Sequence, residues 1–321
     1  MKLEDIGFYT LSDKRADNTS IESSLKRCEL ILSDKCNFKC PYCRGLKTEL
    51  KGDLTFKEAK HIVDLWSEAK IENIRFSGGE PTLWKDLVKL VKYTKKIKSI
   101  KHIAISTNGS ASIQKYRSLI KAGVNDFSIS LDSCCSSTAN KMAGVKGQFN
   151  HIEKVIKYIS KQTYCTVGVV LTKVNNNELE NIIKYATSLG VSDIRIIPSA
   201  QSNHKLKINI KTNYKILKYR INNIKNKRHV RGLKKTDYCK CPLVKDDMVI
   251  VKNKHYPCII YMREQGKEIG TIDNKSIKEI RKERELWFKN HNTFKDSICR
   301  KNCLDVCIDY NNKVKYFDKS K

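Results

Sequence analysis

Residues 27–43, RCELILSDKCNFKCPYC, set a strand-length apolar run directly before three closely spaced cysteines. Residues 27–33 read as a β-strand, bounded by the polar Ser33-Asp34-Lys35. The same grammar repeats downstream. Strands are expected at 73–76, 102–106, 126–131, 164–171 and 193–197, alternating with helices at 55–70, 83–97, 112–122, 149–160 and 178–189. Gly123 and Gly190 follow two of those helices and Pro198 follows the last strand, the expected punctuation. Such alternation predicts right-handed βαβ units and a parallel sheet. Six units are too few for a closed eight-stranded barrel. The expected fold class is therefore α/β, a partial (β/α)6 barrel, with its chemistry at the C-terminal ends of the strands.

From about residue 203 the pattern changes to a basic helix at 213–225, a hairpin at 247–256 and a helix at 276–288 among clustered cysteines. The predicted organisation is an N-terminal arm (1–26), a core (27–205), then a linker helix and a small cysteine-rich α+β domain (206–321).

Composition narrows the functional classes. The 321-residue chain carries 63 Lys+Arg against 34 Asp+Glu, a net charge of +29. Two readings stay open: a polyanionic partner such as nucleic acid, or enrichment of Lys, Asn and Ile by AT-rich codons. No apolar run approaches the ~18 residues of a membrane span, and the first residues contain no secretory h-region. The expectation is a cytoplasmic protein without a membrane partner. Thirteen cysteines, an odd number, argue against a disulfide framework and for metal or iron–sulfur sites. They fall into an N-terminal group, Cys36, Cys40 and Cys43, and a C-terminal group, Cys239, Cys241, Cys258, Cys299, Cys303 and Cys307. Cys28 and Cys165 lie in strands and read as small buried hydrophobes.

Three thiolates spaced x3 and x2 on one tight loop can hold three irons of a [4Fe–4S] cube. The fourth iron then has no protein ligand and can be chelated by a small molecule. Structural zinc ordinarily takes four ligands in paired knuckles, which this spacing does not provide.

With CNFKCPYC at 36–43 and Tyr42 before the third cysteine, the chain resembles the radical S-adenosylmethionine (SAM) superfamily. Ser77-Gly78-Gly79-Glu80-Pro81 resembles that family's GGE element, Thr107-Asn108-Gly109 its TNG element and Ser130-Leu131-Asp132 its SLD element. The resemblance implies SAM contacts from Tyr42, Gly78, Gly79, Glu80, Thr107, Asn108, Ser130 and Asp132, with Glu80 accepting from the methionine ammonium. Asp132 has a second reading, as a cap of the segment that follows it. Apolar contact to adenine is expected from 169–171 and 197–198. The implied reaction is reductive cleavage of SAM to a 5′-deoxyadenosyl radical that abstracts a substrate hydrogen. The electron would come from a donor such as flavodoxin or ferredoxin.

The C-terminal group resembles a SPASM or twitch domain, whose auxiliary clusters follow the barrel in many members of this superfamily. Asn253 stands where such domains usually have Gly, and the run Cys299-x3-Cys303-x3-Cys307 lacks their x2 and x5 spacings. Six thiolates suffice for one four-ligand cluster and not two, so a single auxiliary [4Fe–4S] cluster is expected; four thiolates also suit structural zinc. Cys134 and Cys135 follow the fourth strand end and are candidate hydrogen-atom donors, with packing as the alternative. The expected substrate is a ribosomally made peptide or small metabolite, with modification of RNA or a nucleotide as the alternative. A basic zinc-ribbon nucleic-acid binder is the non-enzymatic alternative.

Overall fold

The computed structural model describes residues 19–200 and 210–318. The expected boundary at residue 205 and most of the N-terminal arm lie outside the described residues. Six parallel strands form the core: β1 (Arg27–Ile31), β2 (Asn73–Ser77), β3 (His102–Thr107), β4 (Asp126–Ser130), β5 (Tyr164–Leu171) and β6 (Asp193–Pro198). Helices α1 (Phe56–Glu68), α2 (Leu87–Thr94), α3 (Ile113–Ala122), α4 (Ser136–Ala143), α5 (Phe149–Ser160) and α6 (Leu179–Ser188) connect them.

Local chemistry explains these helices. Thr55 and Glu58 form a reciprocal capping box at the start of α1, and the Ser112 hydroxyl accepts from Lys115 N at α3. Ile152, Val155, Ile156 and Ile159 line one face of α5 and are buried against the sheet. Cys28 and Cys165 are fully buried within the same core.

Two helices depart from expectation. The helix at 83–97 is shorter: Pro81–Leu83 makes a 3-10 turn, Trp84 is extended with its indole N–H donated to Leu54 O (2.8 Å), and α2 starts only at Leu87. Burial of one aromatic side chain overrides helical periodicity there. Helix α4 lacks a sequence signal, because only Thr138 and Met142 of its eight residues are buried.

The chain continues through α7 (Lys215–Lys225) to the expected hairpin, β7 (Asp247–Val251) and β8 (Lys254–Tyr256). That hairpin joins the core sheet instead of standing apart. β7 pairs in parallel with β1, from Arg27↔Asp247 to Ile31↔Val251, and β9 (Gly270–Thr271) pairs with β8. The resulting nine-stranded sheet has the order β6-β5-β4-β3-β2-β1-β7-β8-β9 and is not closed. Beyond it lie α8 (Ile259–Arg263), α9 (Ile277–Asn290), α10 (Ser297–Asn302) and α11 (Asp305–Asp318). Arg284 of α9, fully buried, donates to the carbonyls of Val244, Asp247 and Tyr256 and so fixes the hairpin to the helix.

Candidate functional site

The first cysteine loop is held by backbone, and two glycines permit it. Gly79 N donates to Ser33 O (2.8 Å) and Glu80 N to Lys35 O (2.7 Å). A Cβ on Gly79 would lie 2.3 Å from Lys35 O, and one on Gly144, at φ +65°, 2.2 Å from Lys39 O. Cys36 and Cys43 are exposed and Cys40 half-buried, on a loop closed by Cys43 N donating to Cys40 O (3.0 Å). Phe38 N (3.4 Å) and Asn108 Nδ2 (3.9 Å) both point at Cys36 Sγ. Burial raises the Cys36 pKa, and these two donors work against that rise, towards the thiolate that ligates iron.

Glu80 is fully buried, and its carboxylate accepts four hydrogen bonds from within. One oxygen accepts from Thr82 N (3.0 Å), Thr82 Oγ1 (2.6 Å) and Thr107 Oγ1 (2.7 Å); the other accepts from Asn108 N (2.7 Å). Burial nonetheless pushes its pKa up. The carboxylate does not line the cavity beside the cysteines; through these bonds Glu80 ties the β2 turn to the β3 turn. Asn108, anchored in this way, reaches Asn37 of the cysteine loop (Nδ2···Oδ1 2.9 Å).

A cavity of about 320 Å³ opens over the C-terminal strand ends. Its lining includes Cys36, Cys40, Tyr42, Cys43, Gly79, Thr107, Asn108 and Ser130, all of them expected ligand contacts. Val169, Val170 and Ile197 supply the apolar part. Gly78 and Asp132 do not line it. Asp132 accepts from Val170 N (2.6 Å) and from the Tyr42 hydroxyl, so it braces β5 and the cysteine loop from behind; burial pushes its pKa up to about 6.

Cys134 and Cys135 also fall outside this cavity. Cys134 packs against the hydrophobic core, and Cys135 begins α4 with its sulfur held by Ser133, Ser137 and Thr138. Those hydroxyls pull the Cys135 thiol down to about 7. The β4–α4 turn thus leaves both thiols, the expected hydrogen-atom donors, outside the lining of this cavity.

A second cavity, of about 270 Å³, collects Cys241, Cys258, Cys299, Cys303 and Cys307. The expected sixth member, Cys239, does not line it. The chain bends at Cys239 and Lys240, where Cys239 O accepts from Thr293 N (2.8 Å), and only Cys241 reaches the cavity. Cys258 starts α8, while Cys299, Cys303 and Cys307 follow one another through the α10–α11 corner. Burial pushes Cys241 up to about 12 and raises Cys258 and Cys299 as well; the Cys303 thiol donates to Cys307, raising the first and lowering the second. Four half-buried thiols that resist ionisation, gathered round a fifth that ionises more readily, are an expensive arrangement unless a cation sits among them. Tyr261 N (3.4 Å to Cys258 Sγ) and Asn311 Nδ2 (3.7 Å to Cys241 Sγ) donate to two of the sulfurs. The set fits an iron–sulfur cluster. His291, Asp296 and Cys299 also place ligand atoms within 4.8 Å of one another, a grouping that sequence spacing did not reveal.

The two cavities share a wall, formed by Arg44, Ser106, Ser128, Arg195, Ile197 and Arg231. The C-terminal segment also reaches the first loop directly. Arg263 of α8 donates to Gly45 O (3.1 Å) and Gly78 O (2.7 Å), and Arg44 pairs with Glu264.

Residues 30–186 match the model of the radical SAM superfamily. That segment is a radical SAM domain. GTP 3′,8-cyclase of Haemophilus influenzae is 31% identical over 156 residues, 47% of this chain and 44% of that one. The Clostridium botulinum enzyme of the same name is 31% identical over 157 residues, 47% and 49%. The chain thus matches about half the length of these curated relatives. Among solved structures, anSMEcpe with bound AdoMet superposes with TM-score 0.60 at 16% identity, covering 92% of this chain and 97% of that one. Streptococcus suis SuiB bound to S-adenosylmethionine gives TM-score 0.60 at 19% identity, covering 84% and 66%. At such identities the likeness is one of fold. A radical SAM domain over residues 30–186 sets aside the reading of the protein as a zinc-ribbon nucleic-acid binder. No helix among the described residues is long and apolar enough to cross a membrane.

Proposed function

We propose that this radical SAM protein is an enzyme that transforms a small molecule held between its two cysteine sites. The observation that carries this reading is the shared wall: the cavity beside Cys36, Cys40 and Cys43 adjoins the cavity of five thiols through Arg44, Ser106, Ser128, Arg195, Ile197 and Arg231. Cys36, Cys40 and Cys43 would hold a [4Fe–4S] cluster, and Tyr42, Gly79, Thr107, Asn108 and Ser130 would line the place of SAM. When bound, cluster and SAM supply a carbon-centred radical able to take hydrogen from an unactivated carbon.

The chain's own task is positional. Glu80 fixes Asn108 against the cysteine loop, Asp132 fixes Tyr42, and Arg263 holds the Gly78 carbonyl from the C-terminal side. Four of Cys241, Cys258, Cys299, Cys303 and Cys307 would hold an auxiliary [4Fe–4S] cluster. A protein electron donor of the flavodoxin or ferredoxin kind would approach the exposed face of the first loop.

The curated relatives named for GTP cyclisation support a small, nucleotide-like substrate. Streptococcus suis SuiB has been solved bound to its precursor peptide SuiA, which keeps peptide as the second reading. The test is anaerobic reconstitution with iron and sulfide. The expected product is brown, contains two [4Fe–4S] clusters and cleaves SAM when reduced by dithionite. Stoichiometric zinc without acid-labile sulfide would overturn it.

A further inference from the structure

The charges around the two cavities are unlike those of the rest of the chain. Only thirteen of its 63 basic residues are arginine. Seven of those thirteen, Arg27, Arg44, Arg75, Arg195, Arg220, Arg231 and Arg263, line one cavity or both, and the lining contains no lysine. Codon drift towards Lys cannot produce that selection. Three carboxylates share the lining, Glu29, Asp126 and Asp247, leaving four positive charges in excess.

Four of the seven are neutralised in place. Arg27 pairs with Asp247, Arg75 with Asp126 (3.0 Å), Arg44 with Glu264 and Arg220 with Asp305 (3.0 Å). Arg195, Arg231 and Arg263 have no ion pair among the described residues. Arg263 lies beside the Cys36 and Cys43 thiols, which account for it as a counter-charge to the first cluster.

Arg195 has no such explanation. It projects from β6 into the shared wall, donating from Nη2 to Ser128 Oγ (3.1 Å), while its buried Nε finds no partner. Burial and the neighbouring Arg75 and Arg27 pull its pKa down to about 10, against the opposing pull of Glu29 and Asp126; no cysteine acts on it. Arg231 is held rigidly by two carbonyls, Pro198 O to Nε (2.9 Å) and Asn302 O to Nη1 (3.1 Å), and burial together with Arg44 pulls its pKa to about 10. Two half-buried guanidinium groups without an ion pair stand in one wall, one of them with a partnerless Nε, an arrangement suited to an anion. Hydroxyls of Ser106, Ser128 and Thr166 stand beside them.

We infer that this wall binds the phosphate of a small-molecule substrate, with Arg195 and Arg231 as its charged ligands. Guanidinium forks match phosphate oxygens bidentately, and a phosphate near −2 answers both unpaired charges where one carboxylate would answer half. The inference rests on the reading of the cavity as the substrate site and names the class of substrate.

Inorganic pyrophosphate titrated calorimetrically into the reconstituted holoprotein tests it, with succinate as the carboxylate arm. Pyrophosphate should bind saturably, and Arg195→Met and Arg231→Met should each weaken it roughly ten- to a hundredfold, the loss of hydrogen bonds to a charged group. Arg195→Lys, which keeps charge and loses the fork, should fall between; it also reports should the Met variant fail to fold. Arg117→Met, on the outer face of α3, should change nothing. Pyrophosphate binding equal in all variants would overturn the inference, and succinate binding as tightly as pyrophosphate would overturn the choice of phosphate. Iron content and dithionite-driven SAM cleavage, measured on the same samples, separate the two readings: if these fail while pyrophosphate binding holds, the enzyme reading fails and the anion site stands.

Discussion

The two cysteine sites are built in opposite ways. Cys36, Cys40 and Cys43 occupy eight consecutive residues on an accessible loop, braced by neighbouring strand turns. Cys241, Cys258, Cys299, Cys303 and Cys307 come from segments spread over 67 residues and meet in one cavity, each of them half-buried. An accessible three-thiol loop suits a cluster that must accept an exogenous ligand. A five-thiol cavity offers enough ligands for one held by protein alone, as structural sites generally are. The difference teaches that local spacing is enough for the first kind of site and insufficient for the second.

The largest expected effect separates the sites outright. Replacing Cys36, Cys40 and Cys43 together by Ala should abolish SAM cleavage and remove about half the iron. The remaining iron should keep its absorption and its Mössbauer signal. If all iron is lost, the two sites are not independent and the comparison fails. The next sharpens the second site: Cys258→Ala should lose the C-terminal cluster, while Cys239→Ala should retain it in full, measured by iron and sulfide content. Equal loss in both variants would return Cys239 to the ligand set.

A smaller effect concerns the brace of the first site. Glu80→Ala leaves the buried donors of Thr82, Thr107 and Asn108 unanswered, each costing about 1–3 kcal/mol if no water enters. Thermal stability should fall by several degrees and SAM affinity with it, because Asn108 loses its anchor. A variant with weakened SAM binding and unchanged Tm would show instead that the carboxylate contacts ligand directly.

The smallest effect is a pH dependence, because a buried carboxylate lies behind each site. Asp132 backs the first loop and Asp246, bonded to Ser23, backs the hairpin of the second; burial pushes each up to about 6 from 3.8. A carboxyl raised in the folded state binds its proton more tightly there than in the unfolded chain. Stability therefore declines as pH rises from about 4 to about 6, by at most about 1.4 kcal/mol per pH unit for each group. Asp132→Asn and Asp246→Asn should each flatten part of that slope in urea melts taken between pH 4 and 7. An unchanged slope in both would show that neither carboxyl titrates in this range.

Much of the core was legible. The spans of β5 and α5 coincide with those expected from periodicity, because both bury a continuous apolar set against one neighbour. Helix α4 was not legible, since its position depends on Gly144 passing over Lys39 and not on an apolar face of its own. Candidate residues at strand ends were found by motif, but their division into cavity and brace was not. Thr107 and Asn108 face the cavity, whereas Glu80 and Asp132 stand behind it, and nothing in their spacing distinguishes the two. The arginines were missed altogether. The available signal was a charged residue within an otherwise apolar strand, as at Arg75 and Arg195.

The order of strands and helices, the three-thiol loop and its adjacent motifs were determined by the amino-acid sequence itself, because each depends on interactions within a few residues. Which thiols share a cavity, which acids face inward and which arginines keep an unpaired charge were decided only by tertiary structure. The parallel pairing of β7 with β1 brings residues some 220 positions apart into register. It thereby lays the C-terminal cysteines and Arg231 beside the wall to which β6 contributes Arg195. Burial and charge compensation belong to that arrangement in space, and no local pattern in the chain encodes them.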